Sequence, residues 1–285
     1  MSIHAEGHRP VMLQEVCDGL AIQPEGVYID ATFGRGGHTA SILKALGPKG
    51  RLIAYDKDPE AIAYGQLHYQ DSRLMLKQGS YTLIYEDMVD QGLLGKVGGV
   101  LMDLGVSSPQ LDQAERGFSF MKSGPLDMRM DTTQSNSITA AQWLAENSER
   151  DIADTLFRYG DEKLSRHIAR AIVHHRTQIG PLETTLELSQ LIESTVGHRY
   201  PRGKHPATRT FQALRIVVNA ELEELKNCLD TLIDVLMVGG RLVVISFHSL
   251  EHRLVKRMMQ RYLPGNESID PYTQPSEPRL KRIGS

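Results

Sequence analysis

Three carboxylates, a glycine cluster and a histidine stand where apolar runs of this 285-residue chain give way to turns, the places where α/β proteins bind ligands. Asp30-x-Thr32-x-Gly34-x-Gly36-Gly37-His38 follows one such run, Asp56 closes the next, and Asp103-Leu104-Gly105-Val106-Ser107-Ser108-Pro109 ends a third. A glycine turn between strand and helix lets backbone N–H groups approach a ligand, and the helix N-terminus adds partial positive charge. A carboxylate about twenty residues after the glycines can accept hydrogen bonds from both ribose hydroxyls of a nucleoside. The set predicts a site for an adenosine-containing cofactor.

The dinucleotide fingerprint G-x-G-x-x-G shares this logic, but Thr39 occupies its last glycine position. Against a methyltransferase pattern, an acid followed by three alternate glycines, the chain differs only in having Thr32 at the first glycine. A carboxylate at Asp30 repels a pyrophosphate and suits the ammonium of a methionine group. S-adenosylmethionine is therefore expected ahead of nicotinamide or flavin. Base-amino methyltransferases often follow the acid of the third turn with prolines and an aromatic; here Asp103 and one later proline remain, without the aromatic. Asp103 is either the group that accepts a proton from an amino nucleophile or a loop cap that helps hold cofactor.

His248-Ser249-Leu250-Glu251-His252 matches the H-x-x-E-H of inverted zinc proteases. Zinc would need both histidines on one helix face plus a third ligand. His248 directly follows the strand-like Val243–Phe247, so a polar loop beside the site is expected, with a plain helix cap as the alternative, and no metal. From His198 to Arg215 the chain carries Arg199, Arg202, Lys204, Arg209 and Arg215 without an acid, interleaved with Tyr200 and Phe211. Such a run suits phosphate contact and base stacking, or a plain solvated face. Arg253, Lys256, Arg257 and Arg261 recur at helical spacing and could extend it.

These residues need a scaffold. Gly26–Thr32 and Arg51–Asp56 read as strands, with a helix through Ala40, Ile42, Leu43 and Leu46 between them and another opening at Pro59. Val97–Asp103 is a third strand. After it the pattern turns helical: Ala140–Glu146, Arg150–Tyr159, Glu162–His175 and Leu186–Thr195 read as helices, with no convincing strand from Leu111 to Arg209. An amphipathic pattern from Phe211 to Met237, closed by Gly239-Gly240, leads into a buried strand, Arg241–Phe247. The expected fold is an α/β domain, residues 1–110 and 211–263, interrupted by an all-helical insertion, 111–210, for substrate recognition, with an extended proline-bearing tail at 264–285.

Composition agrees: 40% hydrophobic and 24% charged residues suit a globular chain with a buried core. The net charge of −3 excludes sequence-wide attraction to nucleic acid, so a polyanion must meet a local patch. Cys17 and Cys228 form neither a disulfide framework nor a metal pair and read as inert core thiols. The start lacks a signal peptide and no apolar stretch is long enough to span a bilayer, so a cytoplasmic protein is expected.

The motifs taken together resemble the bacterial ribosomal small-subunit methyltransferase H family, which methylates the N4 amino group of one cytosine in 16S rRNA. The similarity runs through His8–Val11, Asp30–His38, Leu101–Gln110, Glu115–Phe120, Gly124–Met130, His205–Gln212 and Ser246–Glu251. It implies a Rossmann-like fold with a helical insertion. It also implies that Gly36, Gly37 and His38 hold the methionine end of S-adenosylmethionine, Asp56 its ribose, with Tyr81 along the adenine and Asp103 and Gln110 completing the pocket. Asp103 is the catalytic candidate; Lys204, Arg209 and Arg215 are the RNA-binding candidates, and 16S rRNA within the small subunit is the partner. His252 stands where the family usually has an acid. A basic stretch rich in asparagine, proline, arginine and serine does not follow Arg282–Ser285, so weakened RNA binding is expected. The target cytosine must be unstacked to reach the methyl group. The rivals are an N4-cytosine or N6-adenine DNA methyltransferase and a nonenzymatic RNA-binding ribosome-assembly factor; monomer and homodimer are both open.

Overall fold

The computed structural model describes residues 10–201, 203–263 and 280–284. His8, Arg9, Arg202 and most of the expected tail lie outside the described residues. The chain divides into two compact units, Met1–Gly105 with Leu222–Ser285, and Val106–Glu221.

In the first unit α1 (Leu13–Leu20) precedes β1 (Val27–Asp30), α2 (Gly37–Ala45), β2 (Arg51–Asp56), α3 (Pro59–His68), β3 (Leu74–Gln78), α4 (Ile84–Asp90) and β4 (Val97–Asp103). The second unit supplies α5 (Ser108–Asp112), α6 (Ala140–Glu146), α7 (Glu149–Gly160), α8 (Ser165–Gln178), α9 (Thr185–Val196) and α10 (Thr208–Val218). Then α11 (Glu221–Val235), β5 (Leu236–Ile245) and α12 (Ser249–Tyr262) complete the first unit. The five strands are parallel in the order β3-β2-β1-β4-β5. This is the Rossmann-like methyltransferase sheet, and its strand order reverses between β1 and β4, where such sheets bind ligands.

Alternate residues of each strand enter opposite cores. Tyr28, Leu52, Ala54 and Leu101 pack with α1, α2 and α3 through Val16, Leu20, Ile42, Leu43 and Ala61. Ile29, Ile53, Tyr55, Val100 and Met102 pack with α4, α11 and α12 through Ile84, Met88, Leu225, Leu229, Leu232 and Met258. Burial on both faces explains the continuous apolar runs. β3 escapes the sequence pattern because it is a short edge strand ending in Lys77-Gln78, only half-buried. Leu280 packs on the second of these cores, and its N–H donates to the Tyr262 carbonyl, so the described end of the chain is anchored there.

The expected unbroken pattern Phe211–Met237 is two helices. Asn219 and Ala220 separate α10 from α11, with Ala220 at φ 51°. Both helices are amphipathic, so periodicity alone does not reveal the break. Phe211, Ala213 and Leu214 belong to the helical core with Trp143, Ile152, Leu156, Ile168, Leu188 and Ile192. The second unit therefore runs to Glu221 and starts at Val106, rather than spanning 111–210. Gly239-Gly240 does not cap a helix either. α11 ends at Val235, and the glycines sit in an irregular stretch of β5 where the register to β4 shifts.

Within the helical unit the buried Asn219 amide holds a long loop in place. It accepts from Met130 N–H (2.7 Å) and donates to the carbonyls of Met128 (2.8 Å) and Arg215 (2.9 Å). Met128 adopts φ 64°, a strained value for a side-chain-bearing residue. Capping boxes at Thr139/Gln142 and Thr184/Glu187 start α6 and α9. Among the described residues no helix is long and apolar enough to cross a membrane. Asn219→Ala strands buried backbone groups, and urea unfolding of the helical unit is expected to show a loss of about 2–4 kcal/mol; an unchanged midpoint would show that the loop is held otherwise.

Candidate active site at the carboxyl ends of the strands

The turn after β1 is wired to both neighbouring strands. Ala31 N–H donates to Leu101 O and Phe33 N–H to Tyr55 O, each at 2.8 Å. Asp30 lies fully buried beneath it, accepting from Thr32 N–H (3.1 Å) and from the Thr39 hydroxyl (2.7 Å) in the first turn of α2. Its carboxylate is thus spent on the turn and is not turned toward a ligand ammonium, as its sequence position suggested. Burial raises its pKa, and the two hydrogen bonds oppose that rise.

Gly36 adopts φ 75°, and a Cβ there would meet Tyr69 Oη at 2.4 Å and the Phe33 ring at 2.8 Å. A Cβ on Gly37 would meet Pro10 Cγ at 2.3 Å. Packing behind the turn therefore demands both glycines, independently of what binds in front. The buried Tyr69 hydroxyl donates to Gly36 O (2.7 Å) and Arg35 O (3.1 Å), and its ring meets Phe33 edge-on.

At the end of β2, Asp56 accepts from Gly34 N–H (2.7 Å) and Asp58 N–H (2.8 Å). Burial pushes its carboxyl up to about 6, helped by the charges of Asp58 and Asp30 and opposed by those two N–H donors. Beyond β3, Tyr81 opens a short helical turn capped by Ser80 and packs half-buried on the core. Ser80 and Lys57 share Glu224 of α11, at 2.9 Å and 2.8 Å. Cys228 is buried, and its thiol contacts the Tyr81 carbonyl, whereas Cys17 is only half-buried.

Asp103 ends β4 with its N–H donated to the Thr32 hydroxyl (2.8 Å). Its side chain is 25% exposed, and Oδ2 lies 3.5 Å from Nε2 of His38, in the first turn of α2. Oδ1 of Asp103 and both ring nitrogens of His38 are buried without a hydrogen-bond partner. Buried polar atoms left this way are costly, and a ligand at this position could supply the missing partners. Carboxylates at the ends of β2 and β4 and the amino end of α2 fit a nucleoside carrying an amino acid.

Beyond β5, His248 is the N-cap of α12, not a residue inside it. Its ring nitrogen accepts from Glu251 N–H, while Glu251 accepts from Phe247 N–H at 2.9 Å. This capping box explains the H-x-x-E spacing without zinc.

The remaining candidates belong to the helical unit. Gln110 is buried in α5, its amide oxygen accepting from Ser107 N–H (3.0 Å). Lys204 is exposed; Arg209 donates to the Asp161 carbonyl (2.8 Å). Arg215 forms a bidentate pair with Glu221, both bonds 2.8 Å, so its charge is engaged across the α10–α11 junction. His205 stacks on Phe120, which meets Phe211 edge-on.

The profile of the MraW methylase family matches residues 5–284. The chain belongs to the MraW methylase family. A relative from Coxiella burnetii (strain CbuG_Q212) is 48% identical over 98% of this chain and 91% of its own. One from Methylococcus capsulatus is 50% identical over 96% and 90%, and one from Shewanella denitrificans 51% over 92% and 82%. All three carry the name ribosomal RNA small subunit methyltransferase H.

In this methylase the sequence pattern named Thr32, Thr39 and Glu251 as motif positions without their hydrogen-bonding tasks, and it did not reveal Tyr69. The H-x-x-E spacing is a legible capping signal for Glu251. Nothing local announces Tyr69, which reaches Gly36 from 33 residues away. Gly36→Ala adds both a positive-φ cost and an overlap with Tyr69, and thermal unfolding is expected to show destabilisation by at least about 2 kcal/mol; wild-type stability would sink this account of the glycine.

Proposed function

We propose that this chain transfers a methyl group from S-adenosylmethionine to the N4 amino group of a cytosine in 16S rRNA of the small ribosomal subunit. The observation that carries the proposal is the Asp103 carboxylate at the strand-order reversal, with one buried oxygen lacking a partner and His38 beside it. The name shared by the relatives supports rRNA of the small subunit as the substrate class. The residues that would hold the cofactor are His38 and the α2 amino end at its methionine part, Asp56 at its ribose and Tyr81 along the adenine, with Gln110 from α5 as a further candidate. Bound S-adenosylmethionine supplies a methyl group on a sulfonium, an electrophile that needs no metal.

The protein's own task is to align the amino group and take its proton. A cytosine amino lone pair is delocalised into the ring, so the amine is a weak nucleophile and its N–H must be polarised as the N–C bond forms. Asp103 Oδ1 suits this: its strand end is rigid and its backbone is tied to Thr32. Oδ2, facing His38, keeps the carboxylate oriented. Asp103 would take the N4 proton that the amine sheds on accepting the methyl group. Lys204, and the donors of Arg209 beyond its bond to Asp161, supply phosphate contacts on the helical unit; an RNA contact from Arg215 would require its pair with Glu221 to open.

Transfer of labelled methyl to small subunits lacking this modification tests the proposal, with the product base mapped. Asp103→Asn is expected to lower the transfer rate at least about 100-fold; label on a different atom or base, or an undiminished rate, overturns it. A second outcome follows from Asp56. Ribose hydroxyls donate to the ionised carboxylate, which predominates above about 6. Cofactor affinity measured by calorimetry should therefore weaken about tenfold from pH 7 to pH 5, and Asp56→Asn should bind weakly with that dependence flattened.

A further inference from the structure

A base taken out of its stack loses the π-faces of its neighbours, and enzymes that extrude bases replace them with aromatic or apolar side chains. The Asp103 loop offers no aromatic face: Leu104-Gly105-Val106-Ser107-Ser108-Pro109 has only aliphatic and small polar side chains. The neighbouring strand end does. In the β4–β5 register Asp103 is opposite Ile245, and Leu104 N–H donates to Ile245 O at 3.0 Å. Gly105 and Phe247 each stand two residues beyond that pair. Their contact is direct: a Cβ built on Gly105 would lie 3.3 Å from Phe247 Cδ2. Gly105 also has φ 110°, so a side chain there is strained as well as crowding the ring.

Phe247 is 59% exposed. Among the described residues of the first unit every other phenylalanine and tyrosine is buried or half-buried. Its backbone, by contrast, is held firmly: its N–H donates to Glu251, itself 3% exposed and bound into the His248 capping box. An exposed apolar ring on an anchored backbone contributes little to folding and is preorganised to receive a planar ligand.

We infer that Phe247 is the platform on which the extruded cytosine stacks, supplying from the end of β5 the aromatic face that the Asp103 loop lacks. Adjacent strands lie about 4.8 Å apart, so a base resting on this ring comes within reach of the Asp103 carboxylate. The inference rests on the proposed methyl transfer to a base amino group. It assigns the buried Glu251 a positioning task, since that carboxylate fixes the peptide from which the ring projects.

The test uses the intact chain, labelled S-adenosylmethionine and small subunits lacking the modification, with Phe247→Ala, Phe247→Leu, Phe247→Tyr and Phe247→Trp. S-adenosylhomocysteine affinity and thermal midpoint are measured for each. Loss of stacking is expected to lower kcat/KM for subunits on the order of ten- to a hundredfold in the Ala and Leu variants, with cofactor affinity and midpoint near wild type. Tyr and Trp should restore it to within about threefold. As a reading independent of turnover, cytidine monophosphate should quench the added indole of Phe247→Trp beyond any quenching of wild type, whose own tryptophan is the buried Trp143. A Leu variant as active as wild type, failure of Tyr and Trp to rescue, or a parallel loss of cofactor affinity would overturn the stacking role. An inactive wild type would overturn the methyl-transfer proposal itself, whereas an active wild type with an equally active Ala variant overturns only this inference.

Discussion

The fully buried Asp30 carboxylate is the constraint on which the carboxyl edge of the sheet depends. A carboxylate removed from water must find donors inside the protein, and Asp30 takes the Thr32 N–H and the Thr39 hydroxyl. The first bond bends the chain sharply out of β1, and the second clamps α2 to that bend. Thr32 then lends its own hydroxyl to the Asp103 N–H, so the end of β4 is positioned by the same turn. His38 is delivered opposite Asp103 because it follows the two glycines of this turn. Since burial raises the Asp30 pKa, its ionisation works against folding: that cost is absent below the ordinary carboxylate pKa and grows as pH rises through the raised value.

Around that turn the molecule separates rigidity from chemistry. Tyr69 and Phe33 fill the space behind Gly36, Pro10 the space behind Gly37, and Asp56 holds Gly34 from the side. What remains without internal partners is Asp103 Oδ1 and the His38 ring. Among the described residues three of the six buried side-chain atoms without a partner, Asp103 Oδ1 and the two His38 ring nitrogens, lie together at the strand-order reversal, where such sheets bind ligands.

The helical unit follows a different economy. Its core comes from amphipathic helices, and its long loop between α5 and α6 has little regular structure. Single polar side chains hold that loop: Asn219 bridges it to α10, and the buried Arg116 guanidinium donates to the Arg129 and Met130 carbonyls. Arg215 belongs to the same class, since its pairing with Glu221 joins α10 to α11. A basic run in sequence therefore contains both solvent-facing charge, as at Lys204, and charge consumed internally.

The sequence by itself determined the parallel sheet, whose strands are buried on both faces and read as apolar runs, and the glycine turn after β1, whose acid and glycines are close in the chain. It also determined family membership, because an ordered set of motifs is a property of the chain alone. It did not reveal β3, an edge strand too short and polar to show periodicity, or the break at Asn219, where two amphipathic helices continue one pattern. Only the tertiary structure decided what each site residue spends its hydrogen bonds on. Asp30 and Asp103 are the same residue type at corresponding strand ends. One is consumed by the turn and the other keeps an oxygen unpaired, because that difference is set by Thr39, Thr32 and His38 arriving from other elements. For the same reason the glycine requirement at 36 and the exposed ring at 247 are visible only once Tyr69 and Gly105 are brought beside them.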